Sequence, residues 1–176
     1  ATLRALNRLW GLGWPLDRLA ELGLDLGADV PACIYSRPLR MRGIGEWIEM
    51  LPDWPAFHAI ILNPGVAVPT GPVFRRFDES GPPPLELSGP PGEAVLDWLR
   101  GEPNDLEPSA REIAPEVGEA LTWLDAQPGI SLARMSGSGA SCFGLADSAE
   151  LAETVARAYP GFARAVTLRS SAGEAA

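Results

Sequence analysis

The segment RMSGSGASCF, residues 134–143, places a glycine turn between two apolar runs, and it constrains the fold more than any other stretch. LARM before the turn and SCFGLAD after it have the composition of β-strands, and Gly137, Ser138 and Gly139 interrupt them. A lone Gly-Ser-Gly between strands is most often a simple turn. The alternative is that its bare backbone amides hold a negatively charged group.

Short apolar runs bounded by turn residues predict further strands. FHAIILNPG is typical of a buried strand, and His58, the single histidine of the chain, is interpreted as a residue of that strand. One histidine cannot build a zinc site of the usual kind, so no metal site is predicted. Further strands are predicted at PACIY, at PLRMRGIGEWIEML around a turn, and at FARAVTLR.

Apolar residues at helical spacing predict helices between these strands. Thr70 is expected to cap the helix TGPVFRRF, with Pro72 in its first turn. Asp147 and Glu150 have the spacing of a capping box at the start of another helix. The other helices are expected in ATLRALNRLW, in LDRLAELGLDLG to about Gly27, and near 93–100 and 109–126. Residues 79–92 read as a Pro/Gly-rich loop. This order of elements indicates an α+β fold with helices against an antiparallel sheet.

The charge of the chain excludes several classes of function. Its 176 residues include 23 acidic and 14 basic side chains, a formal net charge of −9, which disfavours general binding to nucleic acid. All the basic residues are arginine, which excludes a Schiff-base or phosphate-loop lysine within these residues. No stretch approaches the roughly 20 apolar residues of a membrane span.

Cys33 and Cys142 lie in apolar runs and are predicted to be buried, reduced thiols of a cytoplasmic protein.

Two further motifs carry candidate functional residues. GADVP, residues 27–31, places Asp29 between a helix-ending glycine and a proline. Taken alone, Asp29 is better interpreted as an acceptor for local backbone amides, and the alternative is a general base fixed by a stiff loop. NPGVAVPTGPVF, residues 63–74, predicts a strand, a turn and the start of a helix that carries Phe74 one turn in.

The order of GADVP, GIGE (43–46), NPGVAVPTGPVF, NDLE (104–107) and RMSGSGASCF resembles the 4-diphosphocytidyl-2-C-methyl-D-erythritol kinases of the GHMP kinase superfamily. The resemblance runs from the first helix to the last strand. It implies a GHMP kinase fold in which 1–55 is the end of the N-terminal, ATP-binding domain and 56–176 is a ferredoxin-like C-terminal domain. The family's phosphate loop would precede Ala1, so the chain is expected to be about the C-terminal three-fifths of such an enzyme.

The resemblance also implies a reaction and its residues. These kinases use ATP with Mg²⁺ to phosphorylate the 2-hydroxyl of 4-diphosphocytidyl-2-C-methyl-D-erythritol, a step of the non-mevalonate isoprenoid pathway. Asp29 matches the family's catalytic aspartate, which orients the hydroxyl and accepts its proton. Thr70 and Phe74 match positions at the cytidine pocket, although a core-facing Phe74 is equally compatible with the sequence. Gly137, Ser138 and Gly139 would support the phosphate loop, with direct phosphate contact secondary.

Several alternatives stay open. The chain could be an inactive GHMP-fold remnant, a kinase for another small alcohol such as homoserine or mevalonate, or a binding module without catalysis. The resemblance favours a cytoplasmic enzyme with a small-molecule substrate, no nucleic-acid or membrane partner, and a monomeric or homodimeric state. Without the segment expected upstream, apolar side chains around Leu3, Leu6 and Met135 are predicted to be exposed and the chain alone inactive.

Overall fold

The computed structural model describes residues 1–51, 54–81 and 94–169. These residues form two compact units, the first built on Ala1–Pro55 and the second on Ala56–Leu168. Residues 82–92 of the predicted loop lie outside the described residues. Among the described helices, none is both long and apolar enough to cross a membrane.

The first unit consists of short helices followed by a β-hairpin. Its elements are α1 (Thr2–Leu9), α2 (Leu16–Leu24), α3 (Val30–Tyr35), β1 (Leu39–Arg42) and β2 (Trp47–Met50). The strands β1 and β2 pair in antiparallel register, as GIGE between them predicts. The Tyr35 hydroxyl donates a 2.7 Å hydrogen bond to the Asp17 carboxylate and so joins α3 to α2. Burial and this neighbouring carboxylate raise the pKa of Tyr35 to about 12.

The prediction of a strand at PACIY is wrong, because these residues form the helix α3. Pro31 lies in the first turn, where the missing N–H of proline has no helical partner to lose. Ser36, with φ of 51°, ends the helix in the left-handed region. A consequence is that Cys33 is exposed, contrary to the prediction that both thiols are buried. Cys142 is buried as predicted, and burial raises the pKa of its thiol to about 11.

The second unit is the predicted layer of helices against an antiparallel sheet. Its strands are β3 (Phe57–Asn63), β4 (Ile130–Met135), β5 (Cys142–Ala146) and β6 (Phe162–Leu168), in the spatial order β4-β5-β3-β6. Its helices are α4 (Thr70–Glu79), α5 (Val95–Gly101), α6 (Glu107–Ile113), α7 (Pro115–Asp125) and α8 (Ala149–Ala158). The central strand β3 buries Ile60 and Leu62 completely, against helical residues such as Val117 and Leu124.

Two helix boundaries differ from the predictions. The single helix expected at 109–126 is two helices, because Pro115 begins α7 and leaves Ala114 extended, with φ of −140° and ψ of 92°. A proline disfavours helical backbone in the residue before it, so the break follows from its chemistry. At the start of α8 the capping residue is Ser148 and not Asp147, since the Ser148 hydroxyl accepts a hydrogen bond from the Leu151 amide at 3.1 Å.

Candidate functional site

The glycine loop, Ser136–Ser141, joins β4 to β5 and is closed by two backbone hydrogen bonds. The Ser136 amide donates to the Ser141 carbonyl at 2.9 Å, and the Gly139 amide donates to the Ser136 carbonyl at 3.0 Å. Gly137 and Gly139 have φ of 55° and 87°, a region that favours glycine. A Cβ on Gly139 would lie 2.9 Å from the Met135 sulfur. The loop therefore depends on glycine both for its backbone and for its close packing.

Met135 itself is 1% exposed and belongs to the core of the second unit. The predicted exposure around Met135 does not hold for Met135 itself, because this residue packs in the core of the second unit. Leu3 and Leu6, around which apolar side chains were also expected to be exposed, are half-buried in the first unit.

Thr70 lies at the first position of α4 and contacts the glycine loop. Its hydroxyl and the Ser138 hydroxyl are 3.0 Å apart, a hydrogen-bond distance in which either group can donate. The structure thus brings together two of the residues that the sequence singles out. The prediction that Thr70 caps α4 is wrong, since Pro69 holds the cap position and the Thr70 side chain makes no capping hydrogen bond.

Phe74 lies one turn after Thr70 and on the same side of α4, because residues four apart on a helix are neighbours. Its side chain is 48% exposed, whereas Val73 beside it is fully buried in the core. The core-facing interpretation of Phe74 is therefore excluded. An exposed aromatic ring and a hydroxyl at a helix N-terminus give this side of α4 a flat apolar face next to hydrogen-bonding groups.

The amides of Gly137 and Ser138 have no hydrogen-bond partner within the described part of the chain. Gly137 is exposed, Ser138 is half-buried, and the loop backbone is left-handed at Gly137. Successive free amides in such a turn form a concave surface that can accept an anion. The geometry therefore permits the loop to contact a phosphate group as well as to support a neighbouring loop.

Asp29 belongs to the first unit, where it occupies the N-cap position of α3 and is exposed. Its side chain makes no capping hydrogen bond, so the interpretation of Asp29 as an acceptor for the amides of this turn has no support. The backbone around it is fixed by a close neighbour. A Cβ on Gly45 would lie 2.2 Å from the carbonyl oxygen of Ala28, the residue before Asp29.

The GIGE hairpin turn is itself held by one side chain. The Glu46 carboxylate accepts a 2.6 Å hydrogen bond from the Ile44 amide. A Cβ on Gly43 would collide with that carboxylate, at 2.3 Å from one oxygen. Motif spacing singled out GIGE, but the contact of Gly45 with Ala28 is visible only in three dimensions.

Among residues 1–51, 54–81 and 94–169, no three His, Cys, Asp or Glu side chains come together as a potential metal site. His58 lies in β3 as predicted, with its Nδ1 atom 3.2 Å from the Thr167 hydroxyl.

Two family models match the chain. The model described as GHMP kinases N terminal domain matches residues 1–37, and the model described as GHMP kinases C terminal matches residues 93–165. The chain belongs to the GHMP kinase family.

Within this family the chain is similar to one particular kinase. It is 48% identical over 164 residues to the 4-diphosphocytidyl-2-C-methyl-D-erythritol kinase of Rhizobium etli (strain CIAT 652), covering 92% of this chain and 54% of that protein. A crystal structure of 4-(cytidine 5'-diphospho)-2C-methyl-D-erythritol kinase superposes with a TM-score of 0.72 at 35% identity, over 95% of this chain and 62% of the other. The chain thus spans about half the length of the curated relative.

A second crystal structure, of L. major mevalonate kinase in complex with R-mevalonate, has a TM-score of 0.57 at 14% identity, over 97% of this chain and 63% of the other. At this identity the likeness concerns the fold alone. It agrees with the α+β architecture of a GHMP kinase that the sequence predicts.

Proposed function

We propose that the full-length protein transfers the γ-phosphoryl group of ATP to the 2-hydroxyl of 4-diphosphocytidyl-2-C-methyl-D-erythritol. The observation that carries this proposal is the 48% identity to a kinase of that name over 92% of the chain. The exposed Phe74 and the Thr70 hydroxyl on one side of α4 support it, because they offer the chemistry that a cytidine ligand requires.

Phe74 would stack on the cytosine ring, and Thr70 would hydrogen-bond the same ligand at the helix N-terminus. Stacking of a base on an aromatic side chain contributes about 1–3 kcal/mol. Val73, the buried neighbour of Phe74, anchors α4 in the core, so the aromatic ring is presented on a fixed helix. A rigid platform loses little conformational entropy when the ligand binds.

Asp29 would orient the 2-hydroxyl and accept its proton. Phosphoryl transfer needs an aligned nucleophile and stabilisation of charge more than covalent help from the protein. The exposed carboxylate is not engaged in capping α3 and is available for a substrate hydroxyl.

ATP supplies the phosphoryl group, and in the proposal Gly137, Ser138 and Gly139 support the loop that holds its phosphates. The free amides of Gly137 and Ser138 can donate hydrogen bonds close to these phosphates. The 14 basic side chains of the chain are all arginine, so no lysine of this chain is available for the phosphates. Mg²⁺ belongs to the proposed reaction, in which it would neutralise charge on the phosphates of ATP. We also propose that the protein is cytoplasmic and acts as a monomer or homodimer.

The test is a phosphorylation assay with purified full-length protein, ATP and a panel of alcohols. The cytidine-linked methylerythritol is expected to be consumed with 2-phosphate formation, while homoserine and mevalonate are not. Turnover of mevalonate or homoserine alone would identify another small-alcohol kinase. Absence of turnover together with absence of cytidine-nucleotide binding would contradict the proposal and favour an inactive remnant or an interaction module.

Replacing Phe74 by alanine is expected to raise KM for the cytidine substrate about 5- to 150-fold, the equivalent of the stacking energy of one base. KM for ATP should be almost unchanged, and so should the thermal stability, because the ring is half exposed. Steady-state kinetics with each substrate varied in turn would measure this. Phe77→Leu on the same helix, which keeps an apolar side chain, serves as the control. Equal rises in both KM values with lower stability would contradict the assignment.

A further inference from the structure

We propose that Asn63 and Asn104 are positioning residues that hold the glycine loop from its two ends. Within the described part of the chain, the side-chain hydrogen bonds of these two residues go to groups other than Thr70 and Phe74. The consequence for phosphoryl transfer rests on the proposed function, whereas the effect on the loop does not.

Asn104 holds the beginning of the loop. Its side-chain amide donates to the carbonyl of Met135, the last residue of β4, at 2.9 Å and to the carbonyl of Gly137 in the loop at 2.8 Å, so its two N–H groups join the end of the strand to the loop. Its Oδ1 atom accepts from the Leu106 amide at 3.0 Å. The side chain is therefore fixed at both ends, and its amide orientation follows from these three partners.

Asn63 holds the end of the loop. It is the last residue of β3, and its side-chain amide donates to the Ser141 hydroxyl at 3.1 Å. Its Oδ1 atom accepts from the Gly65 amide at 2.8 Å, which fixes the side chain in the turn after the strand. Asn63 and Asn104 come from different motifs of the sequence, yet both make contacts to the same six-residue loop.

Fixing a carbonyl also fixes the neighbouring amide. In a planar trans peptide the C=O of one residue and the N–H of the next point in opposite directions. Because Asn104 holds the Gly137 carbonyl, the Ser138 amide is directed away from Asn104, and this amide has no partner among the described residues. Asn104 thus sets the direction of a free donor on the loop. The Thr70–Ser138 contact at 3.0 Å links the same residue to α4.

If Asn104 only stabilised the turn before α6, its variants would behave differently from those of a residue that positions the loop. Asn104 also begins the turn into α6, since its carbonyl accepts from the Glu107 amide at 3.0 Å. Asn104→Asp keeps the acceptor for Leu106 but removes both donors and places a carboxylate against two carbonyls. If Asn104 served only this turn, the aspartate would substitute well, because aspartate is a good residue at helix starts.

Asn63 provides the matched comparison. Its loop partner is a hydroxyl, which can reverse and donate to a carboxylate, whereas the partners of Asn104 are carbonyls and cannot. Asn63→Asp is therefore expected to keep its hydrogen bond to the loop, whereas Asn104→Asp is expected to lose both of its bonds to the carbonyls. Gln127→Ala serves as a control for the loss of one amide-to-carbonyl bond in the same unit, since Gln127 donates to the Trp123 carbonyl at 2.9 Å.

Hydrogen exchange of the ligand-free, full-length protein tests the loop without any substrate. In Asn104→Asp and Asn104→Ala, exchange of the Ser136 and Gly139 amides is expected to be at least about tenfold faster, because hydrogen bonds that restrain the loop are lost. Asn63→Asp and Gln127→Ala should exchange at these amides as the unchanged protein does. Unaltered exchange in Asn104→Asp would overturn the proposal.

Kinetics then test the functional consequence. Asn104→Asp is expected to lower kcat/KM at least about tenfold at an unchanged unfolding temperature, and the control Gln127→Ala to leave it within about twofold. Faster loop exchange in a protein that never phosphorylates the cytidine substrate would support the positioning role and refute the proposed function. Wild-type kinetics together with wild-type exchange in Asn104→Asp would refute the positioning role alone.

Discussion

Replacing Asp29 by asparagine is expected to lower kcat of the full-length enzyme at least about 10²-fold, with KM for the cytidine substrate little changed. The substitution keeps the size of the side chain and removes the group that accepts the proton of the 2-hydroxyl. Because the Asp29 side chain makes no capping hydrogen bond, its loss should not unfold α3. Single-turnover measurements of phosphoryl transfer, with the thermal unfolding temperature recorded in parallel, would test both statements.

Asp25→Asn is the matched control for this variant. Asp25 is an exposed carboxylate at the end of α2, four residues before Asp29, and removing its charge tests general electrostatics of the region. Its kcat is expected to stay within about twofold of the unchanged enzyme. An unchanged kcat in Asp29→Asn would identify Asp29 as a turn residue and contradict its catalytic assignment.

Replacing Gly45 by alanine is expected to reduce the free energy of unfolding by about 2–5 kcal/mol. Part of the loss comes from the backbone, because φ of 101° is unfavourable for a residue with a Cβ, at about 1–2 kcal/mol. The rest comes from overpacking, typically about 1–3 kcal/mol, since the new methyl would lie 2.2 Å from the Ala28 carbonyl oxygen. A backbone carbonyl cannot rotate away as a side chain can, so the hairpin or the loop before Asp29 must move.

Gly13→Ala separates the two contributions. Gly13 has φ of 64°, but nothing lies within 4 Å of a Cβ built on it. Gly13→Ala should therefore lose only the part of the unfolding free energy that comes from the unfavourable backbone conformation. Denaturant unfolding should show Gly45→Ala as the less stable of the two, and only Gly45→Ala should also lose kcat. Equal stability of the two variants would show that the contact with Ala28 adjusts freely.

The sheet of the second unit could be predicted because its strands have unambiguous patterns. FHAIILN became β3 and FARAVTL became β6, each bounded by turn residues. PACIY could not be assigned by pattern, since a short apolar run fits a buried strand or a buried helix equally. The division near 115 and the Ser148 cap were missed because windows of apolar residues locate a helix better than they locate its ends.

The candidate site was predictable in its motifs and not in its contacts. The resemblance singled out Asp29, Thr70, Phe74 and the glycine loop, and their roles remain proposals. From the sequence alone, Phe74 could lie in the core or on the surface. Its exposed fraction of 48% places it on the surface. The bonds of Asn63 and Asn104 join residues far apart in the chain, and a single sequence contains no signal for such pairs.

The strand order β4-β5-β3-β6 has a consequence for synthesis of the protein. Both neighbours of β3 come from the C-terminal end of its unit, and the last pairing, Phe57 with Leu168, closes a long loop. At about 5–20 residues per second, β3 leaves the ribosome on the order of ten seconds before β6 does. During that interval both edges of β3 are unpaired, and Ile60 and Leu62, which are fully buried in the folded protein, are exposed. Unpaired strand edges and exposed apolar side chains promote aggregation of nascent chains. The sheet of the second unit therefore cannot be completed until Leu168 has emerged from the ribosome.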